Sequence, residues 1–180
     1  PTRDKDLAKT YVFKQWDKDP ATTPISYDTL FVAQYAETEN AYSVRFHNWD
    51  YSLLYETKVP YEGTAMFVGT EPSRPADLKY QYSFLGWDQP LDHIHSDKDV
   101  VAEYSTSAQQ YHVIFSYQDG TTPDEQVTYT YHQEVTLPQP AYANHLFQGW
   151  EYNGVLVKDG PWSFTESVTL FAHWVQTSYQ

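Results

Sequence analysis

Residues 82–87 read YSFLGW, and near-copies stand on either side, YVFKQW at 11–16 and HLFQGW at 145–150. The likeness extends well beyond these six positions. PTRDKDLAKTYVFKQWD (1–17) lies without a gap on PSRPADLKYQYSFLGWD (72–88), with Pro, Arg, Asp, Leu, Tyr, Phe, Trp and Asp recurring in place. Downstream, ISYDTLFVAQY (25–35) lies on IHSDKDVVAEY (94–104), and that in turn on FTESVTLFAHW (164–174). Upstream, YSVRF (42–46) returns as YHVIF (111–115), and Asp50 returns as Asp119. Self-similarity at a period of about 70 residues marks a tandem array. Copies at 41–104 and 111–175 are complete, and 1–36 supplies only the second half of a unit.

Alternation assigns the elements. Val100, Ala102 and Tyr104, matched by Phe31, Ala33, Tyr35 and by Leu170, Ala172, Trp174, form an apolar row of period two, which is one face of a strand. Tyr42, Val44 and Phe46 alternate likewise, as do Tyr111, Val113 and Phe115. A turn at Asp50 or Asp119-Gly120 leads to a second strand, at 55–61 or 126–131. Only the middle of the unit carries a helix signal, at Ser73 to Lys79 and Thr2 to Lys9, where an N-cap residue precedes an Asp-Leu pair. The expected fold is therefore mostly β, built from small modules of about 65–70 residues in an elongated array. The connections, 36–41 and 105–110, are short and poor in Gly and Pro, so neighbouring modules are expected to abut with limited bending.

The order Val59-Pro-Tyr-Glu-Gly-Thr64, Pro72, Tyr82-Ser-Phe84-Leu-Gly86-Trp87, Ile94, Asp97, Val100, Ala102, Tyr104 resembles the Listeria-Bacteroides repeat, also called the internalin B-repeat. Copy three carries Phe115, Tyr131, Pro138, Phe147-Gln-Gly149-Trp150, Phe164, Leu170, Ala172 and Trp174 in the same roles. The resemblance implies a compact α+β, β-grasp-like module, strung together on bacterial surface proteins and some phage proteins as spacer and adhesion units without catalysis. Gln15, His145 and His132 depart from the pattern, where Gly, Tyr and Gly are expected.

A module this small has little interior and usually needs a disulfide, a metal or another staple. With no cysteine in the chain, disulfides, thiolate metal sites and thiol catalysis are excluded. The Phe and Trp of YSFLGW, facing the closing row, are read as that staple, with an exposed glycan-stacking platform as the alternative. Eleven Lys and Arg against 24 Asp and Glu give a net charge of -13, which repels phosphate backbones and argues against nucleic acid. Apolar runs are strand-sized, so no membrane insertion is expected. Since the first residue is Pro1, the chain is expected to be a piece of a longer protein, and 1–36 to be completed by upstream sequence, by another chain, or not at all.

Candidate chemistry is sparse. His93 and His95 share one side of an extended segment beside Asp92 and Asp97, a weak metal-ligand pattern. The fold does not demand it, because the equivalent positions are Pro24 and Ser26 in copy one and Ser163 and Thr165 in copy three. Asp28, Asp97 and Ser167 coincide as acceptors for backbone N–H groups. No nucleophile elbow, phosphate loop or zinc-protease motif is present, and no enzyme or cofactor is expected. Candidate contact residues are Trp49 and Tyr51 in the copy-two turn, Tyr152 and Trp162 in copy three, and Tyr129 and Tyr131, which share a strand face that turns either inward to the core or outward as a stacking ladder. The chain is thus read as a stalk or adhesion segment, extracellular, on a bacterial envelope or a phage virion. Its partners would be neighbouring domains of the same or a larger assembly, with cell-surface glycan or host protein as the alternative.

Overall fold

The structure, a computed structural model, describes residues 1–25 and 27–177. Among those residues there are thirteen strands and no helix. In chain order they are β1 (Lys9–Trp16), β2 (Ala33–Glu39), β3 (Ala41–His47), β4 (Leu53–Pro60), β5 (Tyr80–Trp87), β6 (Lys98–Ala108), β7 (Gln110–Ser116), β8 (Glu125–Thr130), β9 (Glu134–Val135), β10 (His145–Tyr152), β11 (Val155–Val157), β12 (Gly160–Pro161) and β13 (Val168–Gln176). The chain divides into two compact units, Pro1–Ser73 with Phe84–Tyr104, and Arg74–Ser83 with Ser105–Gln180.

Both complete copies build one topology. Copy two forms a four-stranded sheet in the order β4-β3-β6-β5, and copy three repeats it as β8-β7-β13-β10, with β11 added beyond β10. In each, the opening hairpin is antiparallel, and its first strand runs parallel to the closing strand. Val44–His47 pairs with Lys98–Val101, and Val113–Ser116 with Val168–Phe171. Among its described residues, copy one has only the antiparallel pair β1-β2. β9 and β12 form a separate two-stranded ribbon in copy three.

The aromatic stretch fills the core as its repetition implied. The opening-strand Phe meets the Trp edge to face, Phe46 on Trp87 at 4.7 Å and Phe115 on Trp150 at 4.6 Å. Within the stretch, Phe84 packs on Trp87 and Tyr104, and Phe147 on Trp150 and Trp174. Burying one large aromatic removes roughly 150–250 Å² from water, an upper bound of about 4–6 kcal/mol at ~25 cal/mol per Å². Trp150 Nε1 also donates to the Pro138 carbonyl at 2.7 Å, so its burial leaves no orphaned donor.

Two expectations are corrected. Neither 2–9 nor 73–79 is helical. Asp6 Oδ1 accepts from the Ala8 and Lys9 N–H groups, and Asp77 Oδ1 from those of Lys79 and Tyr80. An aspartate that bonds its own downstream backbone competes with helical hydrogen bonding and makes a turn. The connections at 36–41 and 105–110 are not linkers either. β2 runs to Glu39 and β6 to Ala108, so a single residue, Asn40 or Gln109, separates each closing strand from the next opening strand.

Candidate functional site

Where one copy hands over to the next, the same set of contacts is made twice. At the first junction the Asn40 N–H donates to the Ala8 carbonyl at 2.8 Å, and the Asn40 carbonyl accepts from the Tyr61 N–H at 2.9 Å. The Asn40 side-chain amide donates to the Asp6 and Leu7 carbonyls and accepts from the Thr10 hydroxyl. The Tyr42 hydroxyl donates to the Leu7 carbonyl. At the second junction Gln109 takes the place of Asn40, donating to the Lys79 carbonyl and accepting from the Tyr131 N–H, both at 2.8 Å. Its side-chain amide donates to the Asp77 carbonyl and accepts from Gln81, and the Tyr111 hydroxyl donates to the Leu78 carbonyl.

The turn that receives these bonds is itself braced. Arg3 lies 3.6 Å over the Tyr11 ring, and the Tyr11 hydroxyl donates to Asp6 Oδ2. Arg74 lies 3.7 Å over Tyr82, whose hydroxyl donates to Asp77 Oδ2. The phenol bonds, joined by the backbone N–H groups, hold both carboxyls below their ordinary value, and the same bonds push both phenols up. The recurrence of Arg, Asp, Leu and Tyr between 1–17 and 72–88 was the signal for this turn. Asn40 and Gln109 escaped sequence reasoning, because an Asn aligned with a Gln carries no motif of its own.

Of the acceptor set Asp28, Asp97 and Ser167, the latter two have a defined duty. Asp97 Oδ1 accepts from the Ser43 N–H at 2.9 Å, and Ser167 Oγ from the His112 N–H at 3.2 Å. Each pins the opening strand beside the closing strand of its own copy.

The candidate contact residues separate by burial. Trp49 is 41% exposed and Tyr51 74%. Their turn is anchored by Asn48, which accepts from the Tyr51 N–H and the Tyr104 hydroxyl and donates to the Ser73 carbonyl. Trp162 is 2% exposed, packed between Tyr129 and Phe164 in the copy-three core. Tyr131 is also buried, edge to face with Tyr80. Tyr129 faces the same core, where burial raises its phenol pKa. Tyr129 in β8 and Tyr131 just beyond it therefore turn inward, since the apolar row has a core to cover and Thr128 does not. Tyr152 is half-buried on Phe164, with its hydroxyl on Glu166. Buried rings cannot stack on a soluble partner, which leaves Trp49 and Tyr51 as the exposed pair from that set, with Tyr152 partly open.

His93 and His95 do converge, but on a carboxylate. Glu62 accepts from His93 Nδ1 at 2.8 Å and His95 Nε2 at 2.7 Å, and Tyr61 stacks on the His95 ring. Among the described residues no group of three or more His, Cys, Asp or Glu side chains is arranged to hold a metal ion. Ser26, aligned with His95, lies outside the described residues.

The family model of the Listeria-Bacteroides repeat domain matches residues 111–173. Among solved structures, the Streptococcal High Identity Repeats in Tandem (SHIRT) domains 3-4 from a cell surface protein align with a TM-score of 0.37 and 11% identity, over 76% of this chain and 98% of that one. No curated protein sequence matches the chain.

Proposed function

We propose that the chain, whose residues 111–173 match the family model of the Listeria-Bacteroides repeat domain, is a non-catalytic stalk or adhesion segment of a surface-exposed protein, on a bacterial envelope or a phage virion. The observation that carries this reading is the junction. The Asn40 and Gln109 brackets repeat one set of contacts, so the recurrent chemistry of the array holds copy to copy rather than assembling reactive groups in one copy. The strand order of each complete copy, second-first-last-third with a parallel centre, supports a β-grasp-like module. The family match over 111–173 supports an extracellular setting.

A second reading, recognition of a glycan or host protein, is favoured by one feature, the exposed Trp49-Tyr51 turn. Binding of the chain to a broad glycan array and to intact bacterial cells separates the two. The stalk reading expects no saturable binding. Saturable binding that Trp49→Ala reduces at least about tenfold, the scale of losing an aromatic anchor, would replace the stalk with a recognition module.

A further inference from the structure

Strand order decides how each complete copy meets tension. The chain enters copy two at Ala41, the first residue of β3, and leaves it at Ala108, the last residue of β6. It enters copy three at Gln110 in β7 and leaves at Gln176 in β13. In both copies the entering and leaving strands are neighbours and run parallel, so entry and exit lie at opposite ends of one strand pair. Tension along the polypeptide therefore slides the pair lengthwise. The evenly spaced, slanted bonds of a parallel ladder are then strained together, whereas a pair pulled from one end parts a bond at a time.

Cross-links brace the sliding pair at both ends. At the entry end Asp97 Oδ1 accepts from the Ser43 N–H, and Ser167 Oγ from the His112 N–H. Towards the exit end, the closing-strand aromatic reaches the residue that follows the opening strand. The Tyr104 hydroxyl donates to Asn48 Oδ1 at 2.7 Å, and Trp174 Nε1 to the Tyr117 carbonyl at 2.6 Å.

Between these braces the two copies differ. In copy two Asp99 stands opposite Arg45 and accepts from both prongs of its guanidinium, Nε to Oδ1 at 2.7 Å and Nη2 to Oδ2 at 2.9 Å. His47 Nε2 lies 2.8 Å from the same Oδ1. Arg45 and His47 both belong to the strand that would slide past Asp99, so this charge-assisted fork ties one strand to the other along the line of tension. In copy three the equivalent pair is Ile114 opposite Thr169. Ser116, in the place of His47, bonds instead to Asp124 ahead of β8.

We propose that each complete copy is a shear clamp that carries tension along the polypeptide, and that the Arg45–Asp99–His47 fork makes copy two the stronger. The clamp follows from strand order and cross-strand bonds. The stalk reading supplies only the source of the tension, and the outcome of glycan or cell binding leaves the clamp untouched.

The test stretches the full chain between handles at its two ends by single-molecule force spectroscopy. The proposal expects two main unfolding events at unequal force. Asp99→Ala should speed the stronger event at fixed force by at least about threefold, the scale of one well-formed surface ion pair, and leave the weaker event unchanged. Because the chain has no cysteine, Ala41→Cys with Lys98→Cys moves the handles to one end of the β3–β6 pair, where pulling parts the same bonds in succession. Copy two should then yield at lower force at the same loading rate. Equal or higher force from the moved handles would overturn the clamp. An Asp99→Ala chain whose stronger event is unchanged, or whose weaker event is the one that moves, would overturn the ranking of the copies.

Discussion

Gly86 and Gly149 hold the backbone at φ of +149° and +137°, a region that L side chains rarely adopt. In copy three the glycine sits at the register shift between Phe147 and Gly149, a bulge that lets Phe147 and Trp150 both pack inward although three residues apart. Copy one makes the shift between Phe13 and Gln15 without a positive φ at Gln15, whose side chain bonds across to Gln34. A Cβ at Gly86 meets nothing within 4 Å, so Gly86→Ala tests the backbone alone. It should destabilise by about 1–3 kcal/mol, the range for a residue held in a sparsely populated region, as read by urea denaturation. The Glu62 cluster supports a pH prediction. The bond from His93 holds the Glu62 carboxyl below its ordinary 4.5, and the same bond raises His93 above 6.5. The His93 contribution is present below pH 6.5 and is lost as pH rises through its raised value. That of Glu62 is present above pH 4.5 and is lost as pH falls through its lowered value. The melting-temperature gap between the chain and its Glu62→Gln variant should therefore be widest between about pH 4.5 and 6.5 and narrow on either side. A gap constant from pH 3 to 9 would contradict the assignment.

Between elements, the decisive groups are single residues that separate paired strands. Asn40 lies between β2 and β3, and Gln109 between β6 and β7, and each side-chain amide ties the turn before an aromatic strand to the strand that opens the next copy. A neutral hydrogen bond contributes about 0.5–1.5 kcal/mol net. Asn40→Ala removes three side-chain bonds and should raise exchange at the 6–10 amides more than Asn40→Asp, which keeps an acceptor for Thr10. Gln109→Ala should do the same at 77–81 while leaving 6–10 unchanged, because each amide acts within its own junction. Matching effects at both sites from either single substitution would refute that independence. Strand identities were legible here, because period-two alternation survives in all three copies. Thr2 and Ser73 read as N-caps of helices that run over Asp6 and Asp77, but each of these aspartates bonds its own downstream N–H groups in a strand-entry turn, which only the path of the following backbone reveals.

Across the whole molecule, stability is expected to be uneven. None of the described residues before Asn40 is fully buried, whereas copies two and three each enclose a core, around Phe46 and Phe115. A two-stranded ribbon is marginal by itself in water, while sheets of four or more strands with an apolar face sustain themselves. Native-state hydrogen exchange should therefore open β1 and β2 before β3 and β6, or β7 and β13. Protection in β1 equal to that in β13 would mean that the first half-copy is held by contacts not seen here.

The amino-acid sequence by itself determined the tandem period, the strand class and the aromatic residues that close each core, because burial imposes a periodicity that repetition makes visible three times. It also assigned Asp97 and Ser167 to backbone N–H groups. Only the tertiary structure decided which strand those two oxygens pin, that the closing strands run through the apparent linkers, and that Tyr131 and Trp162 lie in the core while Trp49 and Tyr51 stay exposed. These outcomes depend on partners tens of residues away in the chain. Local pattern records that a side chain has an apolar face to cover, but the element that covers it is chosen by strand order and by the parallel register between the first and last strands.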